Sequence, residues 1–184
     1  MPIAKDWAAD ILRFWFEEID RELWFKKDDA FDQRLRERFL STYGHVAALP
    51  PEACLRDADT AVAAVIVLDQ LPRNMFRGTP QAFATDAKAR MLAETAIAQG
   101  FEGTLSKDQR LFLYLPLEHA EDAAAQARCV QLMATLDDPE LLRYAVAHKD
   151  IIDRFGRFPH RNGILGRVST PAEIAFLKEP GSSF

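Results

Sequence analysis

Residues 61 to 68 read AVAAVIVL, eight apolar side chains without a break. A helix made of this stretch is apolar on every side, so other helices must wrap it. It is too short to cross a bilayer, which takes about 20 residues of helix. The stretch therefore predicts a buried central helix inside a shell of amphipathic ones.

The rest of the chain carries the pattern of that shell. Trp7, Ile11, Phe14 and Trp15 fall at helical spacing and predict a helix to about Glu18. Trp24 and Phe25 follow in a connector, where large aromatics are expected to plug the core. Phe31, Leu35, Phe39, Tyr43 and Val46 line a second helix from Asp29 to about Leu49, ended by Pro50 and Pro51. Asp32 and Arg36 are expected to form an ion pair on its outer face. The central helix should run from about Asp57 to Gln70 and break at Pro72. Asp69 continues the line of Val62, Val65 and Ile66, so its carboxylate needs a cation, with Arg73 and Arg77 nearest.

Thr79-Pro80 reads as the start of a helix reaching Gln99, with Gly100 as its stop. Ser106 with Gln109 has capping-box spacing, and Leu111, Leu115 and Glu118 then share one helical line. Pro116 should kink or restart that helix. Ala123, Ala127, Val130 and Ala134 form a small-residue face that would let another helix come close. Asp138-Pro139 opens the next helix, whose buried line is Leu141, Ala145, His148, Ile152 and Phe155, with Gly156 as its stop. After a loop of roughly fourteen residues, Thr170-Pro171 with Glu173 begins a last helix to about Lys178. The tail, residues 180–184, is expected to be loose. No strand alternation and no regular 34-residue repeat is present. The expectation is one all-α domain over residues 1–184, with seven to nine helices packed as antiparallel pairs.

Charge and cysteine narrow the function classes. The formal net charge of −5 disfavours bulk nucleic-acid binding. Cys54 and Cys129 are far apart and in no metal or redox spacing, so they read as buried free thiols in a reducing compartment. The first residues carry charges through their apolar part and no small-residue cleavage site, so they do not read as a signal peptide. These features place the protein in the cytoplasm, with neither nucleic acid nor membrane as partner.

Two stretches carry the candidate chemistry. Residues 148 to 169, HKDIIDRFGRFPHRNGILGRVS, hold five Lys or Arg side chains against two Asp. Residues 68 to 79, LDQLPRNMFRGT, rhyme with them: each places Arg-Asn just after a proline, or one residue beyond it, then apolar residues, then Gly and Arg. They read as two walls of one site. Its ligand-binding side would be Arg73, Asn74, Arg77, Arg157, Arg161, Asn162 and Arg167, since guanidinium forks recognise carboxylate and phosphate. Glu118, His148 and His160 are the candidate general acids or bases, because burial and neighbours tune such groups. Glu121, Asp122 and Asp69 complete the acidic side, with His119 between. The implied partner is a small anionic molecule. Two alternatives stand beside it: a protein- or peptide-binding groove, or Arg–carboxylate pairs that only cross-link helix ends. Phosphate-loop and serine-elbow patterns are missing, and the spacing offers no metal-ligand set, so neither cofactor nor metal is expected.

LDQLPRNMFRGTPQAFATDAKAR, YLPLEHAED and HKDIIDRFGRFPHRNGILGRVSTPAE resemble the three signature blocks of a bacterial domain-of-unknown-function family, numbered nine-two-four. The N-terminal FWF and the WFKKDDAFDQRLRERF stretch are similar to it as well. The resemblance covers essentially the whole chain. It implies a tetratricopeptide-like helical fold and carries no activity with it.

Overall fold

Helix α1 (Trp7–Arg13) starts where the Asp6 carboxylate accepts a hydrogen bond from Ala9 N–H, and it widens into a π turn over Phe14–Glu18. The structure is a computed structural model that describes residues 6–182. The readings made of residues 1–5 and of the last two residues lie outside it.

Ten α-helical segments occur among the described residues, and no strand. These are α1, α2 (Asp29–Ala48), α3 (Pro51–Cys54), α4 (Ala58–Val65), α5 (Leu71–Met75), α6 (Asp86–Ala98), α7 (Lys107–Glu118), α8 (Ala123–Ala134), α9 (Pro139–Phe155) and α10 (Pro171–Phe176). A π turn at Ile66–Gln70 joins α4 to α5, which leaves nine separate helices among the described residues and an all-helical fold, as the patterning predicts. No helix among the described residues is long and apolar enough to cross a membrane.

The chain groups into two units. The first holds the chain up to Arg77 together with Gln81–Pro116, and the second holds Gly78–Pro80 and the chain from Leu117 on.

In the first unit, α4 packs against α1 on one side and α6 on another, and α2 packs on α5. Every residue from Ala61 to Leu68 is fully buried. Burying each of the branched side chains in this run contributes roughly 1.5–3 kcal/mol. Pro72 does not break the helix as expected. The wider π turn precedes it, and proline at the opening of α5 gives up no needed donor. Trp24 is a core plug: its indole N–H donates to Trp15 O at 3.0 Å and its ring meets Phe112 edge-on. Phe25 is not. It lies 63% exposed, stacked over Phe112 from outside, because Trp24 already fills the space beneath. Asp32 also departs from its expected outer position. It is buried and bonded by Asn74 and Arg77, while Arg36 donates to Met75 O. The expected helix from Thr79-Pro80 is interrupted: Pro80–Phe83 make a 3-10 turn and α6 begins only at Asp86. Lys88 from α6 donates to Val46 O, Ala47 O and Leu49 O, closing the carbonyl end of α2.

In the second unit, α8 and α9 are joined by four residues and therefore run back along each other. The buried face of α8 is Ala125, Gln126, Cys129, Leu132 and Met133, not the predicted Ala123–Ala134 line. The large side chains carry more apolar area than the alanines, and they decide which face turns inward. Gln126 is wholly buried, and its amide N–H groups reach Glu118 O at 2.6 Å and Ala120 O at 2.9 Å. A side chain thus satisfies the orphan carbonyls where α7 ends. Pro116 sits inside α7, and the helix runs through it to Glu118. Gly156 ends α9 in the left-handed conformation, and Thr170 with Glu173 forms a complete capping box at α10. The tail folds back at least as far as Ser182, which is buried and donates to Leu177 O.

Candidate functional site

The loop after Gly156 is a fixed structure, and one carboxylate fixes it. Glu121, in the turn between α7 and α8, accepts Phe158 N–H at 2.8 Å and both η nitrogens of Arg167 at 2.6 and 2.8 Å. Arg167 in turn reaches Asn162 Oδ1 at 2.9 Å and Phe158 O at 3.1 Å, and Asn162 donates to Ser169 Oγ. Burial works against the Glu121 charge. The hydrogen bonds from Arg167 and Phe158 N–H outweigh it and hold the carboxyl below its ordinary range. At the other end of the loop, Arg157 forks onto Glu173 at 2.6 and 2.8 Å and donates to Val168 O. With Arg157 and Thr170 N–H bonded to it, Glu173 is held at about 2.

This frame seats Phe158, which is completely buried, at the centre of a cluster. Its ring meets His148 edge-on at 5.6 Å and lies 5.7 Å from His160. The Arg161 guanidinium stands over it at 4.5 Å. His148 approaches Glu118 to 3.5 Å through Nδ1, and both side chains are nearly inaccessible to solvent. His119 lies 6.4 Å from His148, ring centre to ring centre. The three acid–base candidates, Glu118, His148 and His160, therefore come together, with Arg161 as the anion-binding candidate among them.

Electrostatics keep both histidines neutral at physiological pH. Burial pushes His148 down to about 3, with the positive field of Arg161 and the neighbouring histidines adding to it. Burial and Arg161 push His160 down to about 4. His148 Nδ1 lies 2.9 Å from Tyr144 O, one turn back on α9. A carbonyl only accepts, so Nδ1 carries the ring proton of the neutral form. Cys129 stays a thiol in this setting, because burial and the Glu118 charge both raise it.

Arg73, Asn74 and Arg77 lie in the other unit. Arg73 forks onto Asp86, with both nitrogens at 2.9 Å, and approaches the fully buried Asp69 to 3.2 Å. Burial opposes its charge, but the two carboxylates outweigh that and raise it. Arg77 and Asn74 both bond Asp32. The reading of these loops as two walls of one site thus maps onto residues of two different units.

Pattern alone assigns no role to Phe158 and no special one to Glu121. Phe158 had a faint signal, an aromatic lodged between Gly156 and Pro159 in a polar loop. Asp122, counted on the acidic side, instead caps α8 by accepting Ala125 N–H at 2.8 Å. No group of three or more His, Cys, Asp or Glu placed to hold a metal occurs among the described residues.

The family described as bacterial protein of unknown function (DUF924) matches residues 11–181, which includes every residue of the cluster. The chain belongs to this family. Its fold matches a solved structure, the protein of unknown function ATU0120 from Agrobacterium tumefaciens, at a TM-score of 0.88 and 45% identity. The match covers 93% of this chain and 96% of that one. No curated protein matches the chain. Family membership thus accounts for the helical fold and brings no activity to the cluster.

Proposed function

We propose that this protein binds a small anionic metabolite at the Glu118–His148–His160–Arg161 cluster, where a neutral histidine can exchange a proton with it. One observation carries the reading: a carboxylate, two histidines held neutral and a guanidinium meet around a single buried ring, Phe158. Structural histidines do not need each other's company, and neutral imidazole beside a guanidinium is an arrangement suited to acid–base work on an anion. The other nominated cations, Arg73, Arg77, Arg157 and Arg167, act as clamps in this reading, since each is matched to a carboxylate.

That same matching favours a second reading, in which all of these pairs only cross-link helix ends. A tetratricopeptide-like peptide-binding module, which the α8–α9 hairpin would suit, is the remaining alternative. A thermal-shift panel of small carboxylates, inorganic phosphate and nucleotides separates them. The proposal expects a stabilising anion whose effect, referred to each protein's own ligand-free melting temperature, is lost in Arg161→Ala, a variant that still folds. No response to any anion, with a lowered melting temperature in Arg161→Ala, would favour the cross-linking reading.

A further inference from the structure

Apart from the buried cluster, the second unit has an open cavity of about 530 Å³ lined by Arg154, Phe155, Arg157, Thr170, Ala172 and Glu173. Arg154 differs from the clamped arginines. Its guanidinium lies over the Phe155 ring at 4.6 Å and the Phe176 ring at 5.4 Å. Among the described residues it makes neither an ion pair nor a hydrogen bond. The two rings are themselves packed at 5.0 Å, and Phe155 and Phe176 belong to the apolar cluster with Ile151, Ile152 and Phe158. The guanidinium therefore rests on a rigid aromatic floor with its donors uncommitted, which lowers the entropic cost of using them.

Arg157 adds to this. Its Nε and Nη2 are taken by Glu173 and Val168 O, which leaves Nη1 uncommitted among the described residues. Two guanidiniums stand against the single carboxylate of Glu173 along the cavity wall. Lys149 and Asp153, earlier on α9, neutralise each other.

We propose that this cavity is a second binding site, for a carboxylate carried on an apolar or aromatic body. The two carboxylate oxygens would take the Arg154 fork, and the apolar surroundings favour a carboxylate with an apolar body over bare phosphate, which has nothing to bury there. The apolar body would lie against Phe155 and Ala172. The site is distinct in its residues from the cluster around Phe158 and stands whether or not that cluster binds an anion.

The test uses the full chain with benzoate as the probe, and with benzyl alcohol and inorganic phosphate as controls. Binding is followed by two-dimensional NMR at the Thr170 amide in the unmodified protein and in Arg154→Ala, Arg154→Lys and Arg161→Ala, and at the Arg154 Nε–H wherever that side chain is kept. Benzoate should shift both signals, and phosphate and benzyl alcohol should do so far less. Arg154→Ala should weaken benzoate by about tenfold, the scale of one charge-assisted fork. Arg154→Lys, which keeps the charge and loses the fork, should fall between. Equal responses to benzyl alcohol, or benzoate binding undiminished in Arg154→Ala, overturn the proposal. A response lost in Arg161→Ala but kept in Arg154→Ala overturns it while supporting the buried cluster.

Discussion

Phe158 shows how one side chain can organise several charged ones. Its backbone is held at both ends, N–H on Glu121 and C=O on Arg167, and its ring touches His148, His160 and Arg161. Glu121→Gln keeps the size of the side chain and removes the charge that holds Arg167. We expect a loss of about 2 kcal/mol, the range for hydrogen bonds to charged groups, measured by urea unfolding. The same variant should also move the His148 and His160 resonances, because the ring between them is no longer pinned. An unfolding loss with unmoved histidine signals would separate the clamp from the cluster. At the same scale, Arg73→Met strips the fully buried Asp69 of its guanidinium. We expect a cost of about 3–5 kcal/mol, as for breaking a buried pair, largely recovered when Asp69→Asn is added. A cost below 1 kcal/mol would show that Arg73 is no clamp.

At the scale of the element, Gln126 does for α7 what Lys88 does for α2: a side chain from another helix closes orphan carbonyls. Gln126→Met fills similar space and leaves Glu118 O and Ala120 O without that donor, so we expect it to lower stability by roughly 1–2 kcal/mol. Calorimetry showing no change would mean that other donors take over those carbonyls. The helices themselves were legible in the chain, because their caps and stops are local: Asp28, Asp57, Asp138 and the Thr170–Glu173 box all act within their own turn. What pattern missed needed a partner distant in sequence. Helical spacing alone puts Asp32 towards solvent, because only Asn74 and Arg77 make its burial tolerable. Pro72 looks like a breaker because a π turn leaves no mark in composition. Glu118, His148 and His160 are each candidates on their own, but the ring that lies beside both histidines, Phe158, is held by Glu121, 37 residues away.

For the whole molecule, the buried histidines and the clamped carboxylates make stability depend on pH in the same direction. His148 and His160 ionise in the folded state only near 3 and 4, well below the unfolded value of about 6.5. As pH falls below about 6.5, the unfolded chain takes up protons that the folded one refuses, and stability drops by up to about 1.4 kcal/mol per pH unit for each histidine. The Glu173 contribution is present above the ordinary glutamate value and is lost as pH falls towards about 2. Urea unfolding from pH 7 to pH 4.5 should therefore show falling stability, and His148→Gln with His160→Gln should flatten the slope. A slope unchanged in that double variant would mean that neither histidine is held neutral by the fold. The central claim, that the Glu118–His148–His160–Arg161 cluster receives an anion, is tested most directly by thermal shift of the unmodified protein and Arg161→Ala against the carboxylate, phosphate and nucleotide panel. A ligand at about a hundred times its dissociation constant adds roughly 2.7 kcal/mol, which is readily seen. The account predicts such a shift in the unmodified protein and its loss in Arg161→Ala, each referred to that protein's own ligand-free melting temperature. A panel without any shift, or a shift that Arg161→Ala leaves intact, would contradict it.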